Sequence, residues 1–188
     1  MQVFDFDKTI YKGISSFEFA WEAIKREPGL LKYAKIMVST IFKYLTNKIH
    51  LHSIDGLIKE NIQVVTDRKE MIDDISLTFW NEKRLKKLNK EVLKLVKEDD
   101  VICSTSPSFV IKGVEDRLPT KNIITTELDF DTGEMFLNFK KNKVAKIQEL
   151  YPDSKIENLY TDSYTDKPLM DISDHVYLVR GKTLRKIK

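Results

Sequence analysis

Apolar and polar positions along the chain fall into three regimes. At the start, Val3-Phe4-Asp5-Phe6-Asp7-Lys8-Thr9-Ile10 is an apolar strand running out into two carboxylates spaced two residues apart. From about residue 14 to 98 the period is helical. Phe17, Ala20, Trp21 and Ile24 follow the i, i+3, i+4, i+7 rule, as do Ile72, Ile75 and Phe79, and then Leu85, Leu88, Val92 and Leu95. Pro28-Gly29 separates the first of these helices from a second, over about 30–45, whose apolar residues cover more than one face. From Asp100 onward short apolar runs alternate with helical stretches, the sign of a parallel sheet with crossover helices. Strands are expected at 101–104, 122–125, 156–161 and 175–179, and helices at about 107–117, 144–150 and 167–172. Residues 128–136 read as a hairpin turning on Asp131-Thr132-Gly133.

The pattern therefore predicts an α/β fold, with a parallel sheet built from 1–13 and 99–188 and an all-helical insert at 14–98. A chain of 188 residues, 41% apolar and 32% charged, can bury such a core. The single cysteine, Cys103, excludes an intrachain disulfide and suits a reducing cytosol. The N-terminus enters a strand without a basic region and long apolar stretch, so no signal peptide is expected, and no run of about 18 apolar residues marks a membrane span. A net charge of +3, with Lys and Arg dispersed among acids, gives no case for nucleic acid. His50 and His52 form an HxH pair, but no other His or Cys stands at ligand spacing, which argues against zinc.

The chemistry starts at Asp5 and Asp7. Residues at i and i+2 project to one side of an extended chain, so two like charges face each other and need relief. Mg²⁺ supplies it, since carboxylate oxygens suit its octahedral shell and leave sites for water and phosphate oxygens. The plainer alternative is a strand running into a polar turn capped by Asp7. Further along, a strand ends in Ser104-Thr105-Ser106-Pro107, where Ser106 and Pro107 fit the cap and first residue of a helix. The Ser104 hydroxyl and free amides there could grip phosphate oxygens, although an ordinary Ser-rich cap gives the same pattern. Another apolar strand ends at Asp162, with Asp166 four residues on. In an open parallel sheet, ligands bind beyond the carboxyl ends of the strands, where Asp5, Asp7 and Asp162 could meet. Lys143 opens a helix that reaches the same crevice, while its neighbours Lys140, Lys141 and Lys146 read as a solvated basic face.

The order of these residues resembles the haloacid dehalogenase-like phosphatase superfamily. Asp5-Phe6-Asp7-Lys8-Thr9, Ser104, Lys143, and Asp162 with Asp166 match its four motifs in sequence. The helical insert between the first two motifs, and Ser104-Thr105-Ser106-Pro107, are similar to the branch containing phosphoserine phosphatases. Lys8 and Thr161 stand where many members have Gly. The resemblance implies a Rossmann-like core with a helical cap, and Mg²⁺-dependent hydrolysis of a small phosphomonoester. It further implies Asp5 as nucleophile forming an aspartyl-phosphate, Asp7 as acid and base, and Mg²⁺ held by Asp5, the Asp7 carbonyl and Asp162. Ser104, Thr105 and Lys143 would bind phosphate, Asp166 would orient Lys143 or metal-bound water, and Thr9 would support the Asp5 loop.

Phosphoserine phosphatases carry an acidic residue shortly after the first motif that helps hold the substrate amine, and 10–17 has none, so phosphoserine is disfavoured. The helix around 31–45 carries Lys32, Lys35, Lys43 and Lys48, and a membrane-surface role with a lipid phosphate as substrate is an alternative. Its wide apolar spread fits burial within the cap better. A non-catalytic interaction protein on the same fold is the rival from another class.

Overall fold

The computed structural model describes residues 1–33 and 61–188. The helix expected over 30–45 and the His50–His52 pair fall largely or wholly outside these residues. The described elements are β1 (Gln2–Phe4), α1 (Ser15–Arg26), α2 (Lys69–Phe79), α3 (Glu82–Leu85), α4 (Lys90–Leu93), β2 (Val101–Pro107), α5 (Ser108–Ile111), β3 (Ile123–Leu128), β4 (Met135–Phe136), α6 (Lys141–Leu150), β5 (Asn158–Thr161), α7 (Lys167–Ile172), β6 (His175–Arg180) and β7 (Thr183–Lys186). Residues 61–66 are helical too.

The sheet has the order β4-β3-β2-β1-β5-β6-β7. Its five inner strands are parallel, and β4 and β7 pair antiparallel at the edges. The parallel strands are apolar on both faces because helices cover both. Alternate residues of β1 divide accordingly: Phe4 belongs to the cluster that holds Phe6, Ile102, Phe79 and Val92, while Val3 belongs to the one that holds Cys103, Ile147, Leu169 and Val176. The chain runs β1 to β2 to β3 on one side and returns to the other side of β1 with β5. The carboxyl ends of β1 and β5 thus flank the point where strand order reverses, the position at which open α/β sheets bind ligands. This is the Rossmann-like core that the alternation from Asp100 predicts.

Three local expectations are corrected. The buried face of α1 is not Phe17, Ala20 and Trp21, since Phe17 is 48% and Trp21 55% exposed. Ser15 is pinned inward by Asp7 and Ser106, and one turn later Phe19 packs its ring 5.2 Å from Phe79 and 5.4 Å from Phe109. Glu18 and Glu22 share that side because Arg84 binds both. The helix expected over about 107–117 runs over 108–117, as the four-residue α5 continued by a 3₁₀ helix at Lys112–Arg117; what differs is its start, since Pro107 is the last residue of β2 and the N-cap, and the Ser106 hydroxyl turns to Asp7 instead of capping. Finally β7 was not expected. Its residues are all exposed, and Gly181, at φ 60, turns the chain back from β6 to form it.

Within 82–96, Val92 and Val96 join the cluster around Phe4 and Ile102, so this stretch packs on the sheet. No helix among the described residues is long and apolar enough to cross a membrane.

Candidate active site

The loop after β1 places the first two aspartates. The Asp5 amide continues the ladder to β5, donating to the Tyr160 carbonyl at 2.8 Å, and the chain then folds tightly. Lys8 adopts φ 59 and donates to the Gly13 carbonyl at 3.0 Å, while the Tyr11 amide returns to the Phe6 carbonyl at 2.8 Å. Asn89 clamps the loop from outside, its amide group donating to the Thr9 carbonyl at 3.1 Å and to the Gly181 carbonyl at 2.7 Å. Thr9 is fully buried, and its hydroxyl has no hydrogen-bond partner among the described residues.

The extended chain ends at once, so Asp5 and Asp7 acquire different partners. The Lys143 ammonium lies 2.9 Å from an Asp5 oxygen and 2.9 Å from an Asp166 oxygen. The other Asp166 oxygen accepts from the Thr161 hydroxyl at 2.7 Å. Asp7 accepts from the Ser15 amide at 2.7 Å and from the Ser106 hydroxyl at 2.6 Å. Ser104 stands beside it, its hydroxyl accepting from the Ser106 amide at 3.1 Å. Thr105 contributes its carbonyl to a hydrogen bond from Thr126 at 2.7 Å. Asp162 follows β5 at the rim of an open cleft, and its carbonyl accepts a hydrogen bond from Arg180.

Burial dominates the electrostatics. It pushes the Asp5 carboxyl up to about 8 against the opposing pull of Lys143. It raises Asp7 as well, although hydrogen bonds from Ser106 and Ser15 hold that carboxyl down in part. Burial works against the Lys143 ammonium, but Asp5 and Asp166 outweigh it and hold its pKa above the ordinary lysine range. Asp162 is raised by burial, partly offset by Lys8. One ammonium thus faces the carboxyls of Asp5 and Asp166, with Asp7 close by, so this buried part of the site is short of positive charge.

That shortage is what a hard cation would relieve. Asp5, Asp162 and the Asp7 carbonyl, the ligands expected from the sequence, offer only oxygen donors, the chemistry that suits Mg²⁺ with its own waters. No three His, Cys, Asp or Glu side chains gather into a metal cluster among the described residues, so the fit rests on two carboxylates and a carbonyl.

Two contributors carry little signal in the sequence. Ser106 reads as a cap and is in fact the hydroxyl that holds Asp7. Asn138, fully buried ahead of α6, donates to the Ser104 carbonyl at 2.8 Å and to the Ile124 carbonyl at 3.2 Å. It thereby ties the end of β2 to the segment that delivers Lys143. A lone polar residue in Phe136-Leu137-Asn138-Phe139 was the available hint.

Carboxylates, a lysine and a serine thus stand together at the switch point of a Rossmann-like sheet. The model of the haloacid dehalogenase-like hydrolase family matches residues 3–171, and the chain belongs to that family. Among solved structures it is similar to a protein of unknown function from Bordetella pertussis Tohama I, at 14% identity and a TM-score of 0.68, covering 94% of this chain and 87% of that one. It is also similar to a phosphoserine phosphohydrolase-like protein from Francisella tularensis subsp. tularensis SCHU S4, at 20% identity and a TM-score of 0.58, covering 94% and 86%. A HAD family hydrolase from Salmonella enterica serovar Typhi aligns at 13% identity and a TM-score of 0.50, covering 92% of this chain and 59% of that one. At these identities the likeness is one of fold. No curated protein matches the chain.

Proposed function

We propose that the protein is a Mg²⁺-dependent phosphatase that hydrolyses a small phosphomonoester through an aspartyl-phosphate on Asp5. The observation that carries this reading is the Lys143 ammonium, 2.9 Å from both Asp5 and Asp166, at the end of the central strand. A buried carboxylate beside a fixed cation is an oriented nucleophile with a charge ready for the phosphoryl group.

In the first step an Asp5 oxygen attacks phosphorus as the ester P–O bond breaks, and Asp7 gives its proton to the departing alkoxide. In the second, Asp7, now ionised, takes a proton from water whose oxygen attacks phosphorus. The Asp5–phosphorus bond breaks, freeing phosphate and restoring both carboxyls. Burial raises Asp7, which suits a group that must hold a proton before giving it up. Ser106 and Ser15 fix its two oxygens. Lys143, the Ser104 hydroxyl and Thr105 stabilise the non-bridging oxygens, where charge spreads during transfer. Asp166, held by Thr161, orients Lys143. A Mg²⁺ held by Asp5, the Asp7 carbonyl and Asp162 would shield Asp5 from the phosphate charge it approaches.

The segment 14–98 serves as the cap in this reading, with its last part seated on the sheet, and excludes water from the reaction. The substrate is a small molecule, not a nucleic acid, and the setting is cytoplasmic. The test is a panel of phosphomonoesters assayed with Mg²⁺ and with excess EDTA, followed by acid quench and peptide mass spectrometry. Mg²⁺-dependent phosphate release with label on Asp5 supports the reading. Full activity in EDTA, or label confined to another residue, removes it.

A further inference from the structure

Beside Asp162 the carboxyl end of the sheet opens into a cleft of about 1040 Å³ with an unusual charge. Lys8, Lys140, Lys141, Lys167 and Arg180 line it against Asp162 and Asp171. Asp171 is taken by Lys167 at 2.7 Å, so that pair is internally balanced. Lys8, Lys141 and Arg180 are left facing Asp162. Neither Lys8 nor Lys141 makes an ion pair among the described residues, and Arg180 donates to two carbonyls, those of Asp162 and Val179, and to no carboxylate.

These cations come from three separate pieces of chain: the loop after β1, the start of α6, and the end of β6. A solvated basic helix face draws its charges from one helix. Here convergence is imposed by the fold. The backbone adds an independent observation. Among the described residues the non-glycine positions with positive φ are Lys8, at 59, and Lys140, at 49, and both line this cleft. Glycine would relieve each, yet each is a lysine, and strain retained at a ligand-facing position points to use of the side chain.

We propose that this cleft holds a second anionic group on the molecule whose phosphomonoester lies at Asp5, so that the preferred substrate carries a further phosphate, phosphodiester or carboxylate. This rests on the phosphatase reading and specifies its substrate class. Asp162 lies at the boundary between the two sites, following β5 directly beside the strand that ends at Asp5. A group joined to the phosphate by a short linker therefore enters the cleft without leaving the reaction centre. The same cations select against phosphomonoesters that carry no second anionic group.

The test compares matched pairs: glycerol 3-phosphate against 3-phosphoglycerate, and propyl phosphate against propane-1,3-diol bisphosphate. A third arm uses a glycerophospholipid whose headgroup ends in a phosphomonoester, dispersed in neutral phosphatidylcholine vesicles, and separates a lipid from a soluble source of the second anion. Binding of the same soluble pairs to the Asp5→Asn protein is measured by calorimetry, independently of turnover. The expected result is at least a tenfold preference in kcat/KM or affinity for the doubly anionic member. That preference should shrink with added salt, fall to within about threefold in Lys8→Gln/Lys141→Gln, and invert in part in Lys8→Glu. Salt dependence in the wild-type protein tests the cleft without any variant. Equal handling of the paired compounds overturns the proposal. Binding preference without hydrolysis of any phosphomonoester keeps the cleft and removes the phosphatase reading.

Discussion

The ammonium of Lys143 lies 2.9 Å from an oxygen of Asp5, with the lysine side chain 2% exposed and the aspartate 12%. Asp166 shares that ammonium, so removing it leaves two buried carboxyls without their cation. Breaking a buried ion pair from one side costs about 3–5 kcal/mol. Lys143→Met should therefore unfold at markedly lower urea in Mg²⁺-free buffer at neutral pH. Adding Asp166→Asn should recover part of the loss by removing one stranded charge. Superimposable urea curves for Lys143→Met and wild type would contradict this electrostatic account.

Asp5→Asn has the opposite charge logic. Lys143 keeps Asp166, and the site loses a carboxyl whose charge burial already opposes, so without metal the variant should melt at the wild-type temperature or above it. Its amide has the shape of the carboxylate and none of its nucleophilicity. Phosphate release should fall to background. Near wild-type turnover by a folded Asp5→Asn protein would sink the assignment of the nucleophile.

Ser106→Ala removes the 2.6 Å hydrogen bond on one oxygen of Asp7 and leaves the Ser15 amide on the other. The carboxyl stays but turns more freely, so proton transfer suffers more than binding. The expected result is a kcat lower by about 10–100-fold, part of the roughly 10²–10⁴-fold that general acid–base catalysis supplies, with little change in KM. A rise in KM at constant kcat would place Ser106 in substrate binding instead.

The parts of this molecule legible in the sequence are those set by short-range pattern. The alternation after Asp100 announces the parallel sheet, and Leu128 to Phe136 announces the hairpin that β3 and β4 form. Asp5, Ser104, Lys143, Asp162 and Asp166 stand at strand ends and helix starts, where period alone places them near the carboxyl edge. What period could not supply was partnership between distant segments. Phe17 and Trp21 have the better apolar spacing on α1. The helix turns on Ser15 and Phe19 because Asp7, Ser106, Phe79 and Phe109 lie on that side. Ser106 satisfies the local rule for a cap, yet a buried aspartate 99 residues away takes its hydroxyl. The lysine cluster reads as a solvated face until the fold brings Lys8 and Arg180 to Lys140 and Lys141.

Glu18 makes stability depend on pH. Burial opposes its charge, but hydrogen bonds from Lys87 and Tyr11, with Arg84 also in contact, hold its pKa below the ordinary glutamate value. A carboxyl depressed by folding stabilises the fold above its unfolded pKa, about 4.3, and that contribution disappears as pH falls through the lower folded value. Glu18→Gln should therefore be less stable than wild type by about 1 kcal/mol at pH 7, a modest figure because the side chain is partly solvated. The gap should close below about pH 4. Melting curves from pH 3 to pH 7 decide it, and a gap that widens toward acid would reverse the sign of the argument.

Lys8 and Lys140 offer a last test, because at most positions glycine is the destabilising choice. Replacing a residue of ordinary backbone geometry with Gly costs about 0.5–1 kcal/mol in unfolded-chain entropy. Lys8 sits at φ 59, and Lys140 at φ 49 and ψ −116 just ahead of α6. A non-glycine residue in left-handed backbone carries roughly 1–2 kcal/mol of steric cost, enough to offset or exceed that entropy. Lys8→Gly and Lys140→Gly should each be neutral or stabilising by up to about 1 kcal/mol in urea unfolding. Lys155→Gly, at a site without positive φ, should lose stability in the ordinary way. If the two substitutions at positive φ also lose about 0.5–1 kcal/mol, the backbone strain is absent and so is its support for the cleft.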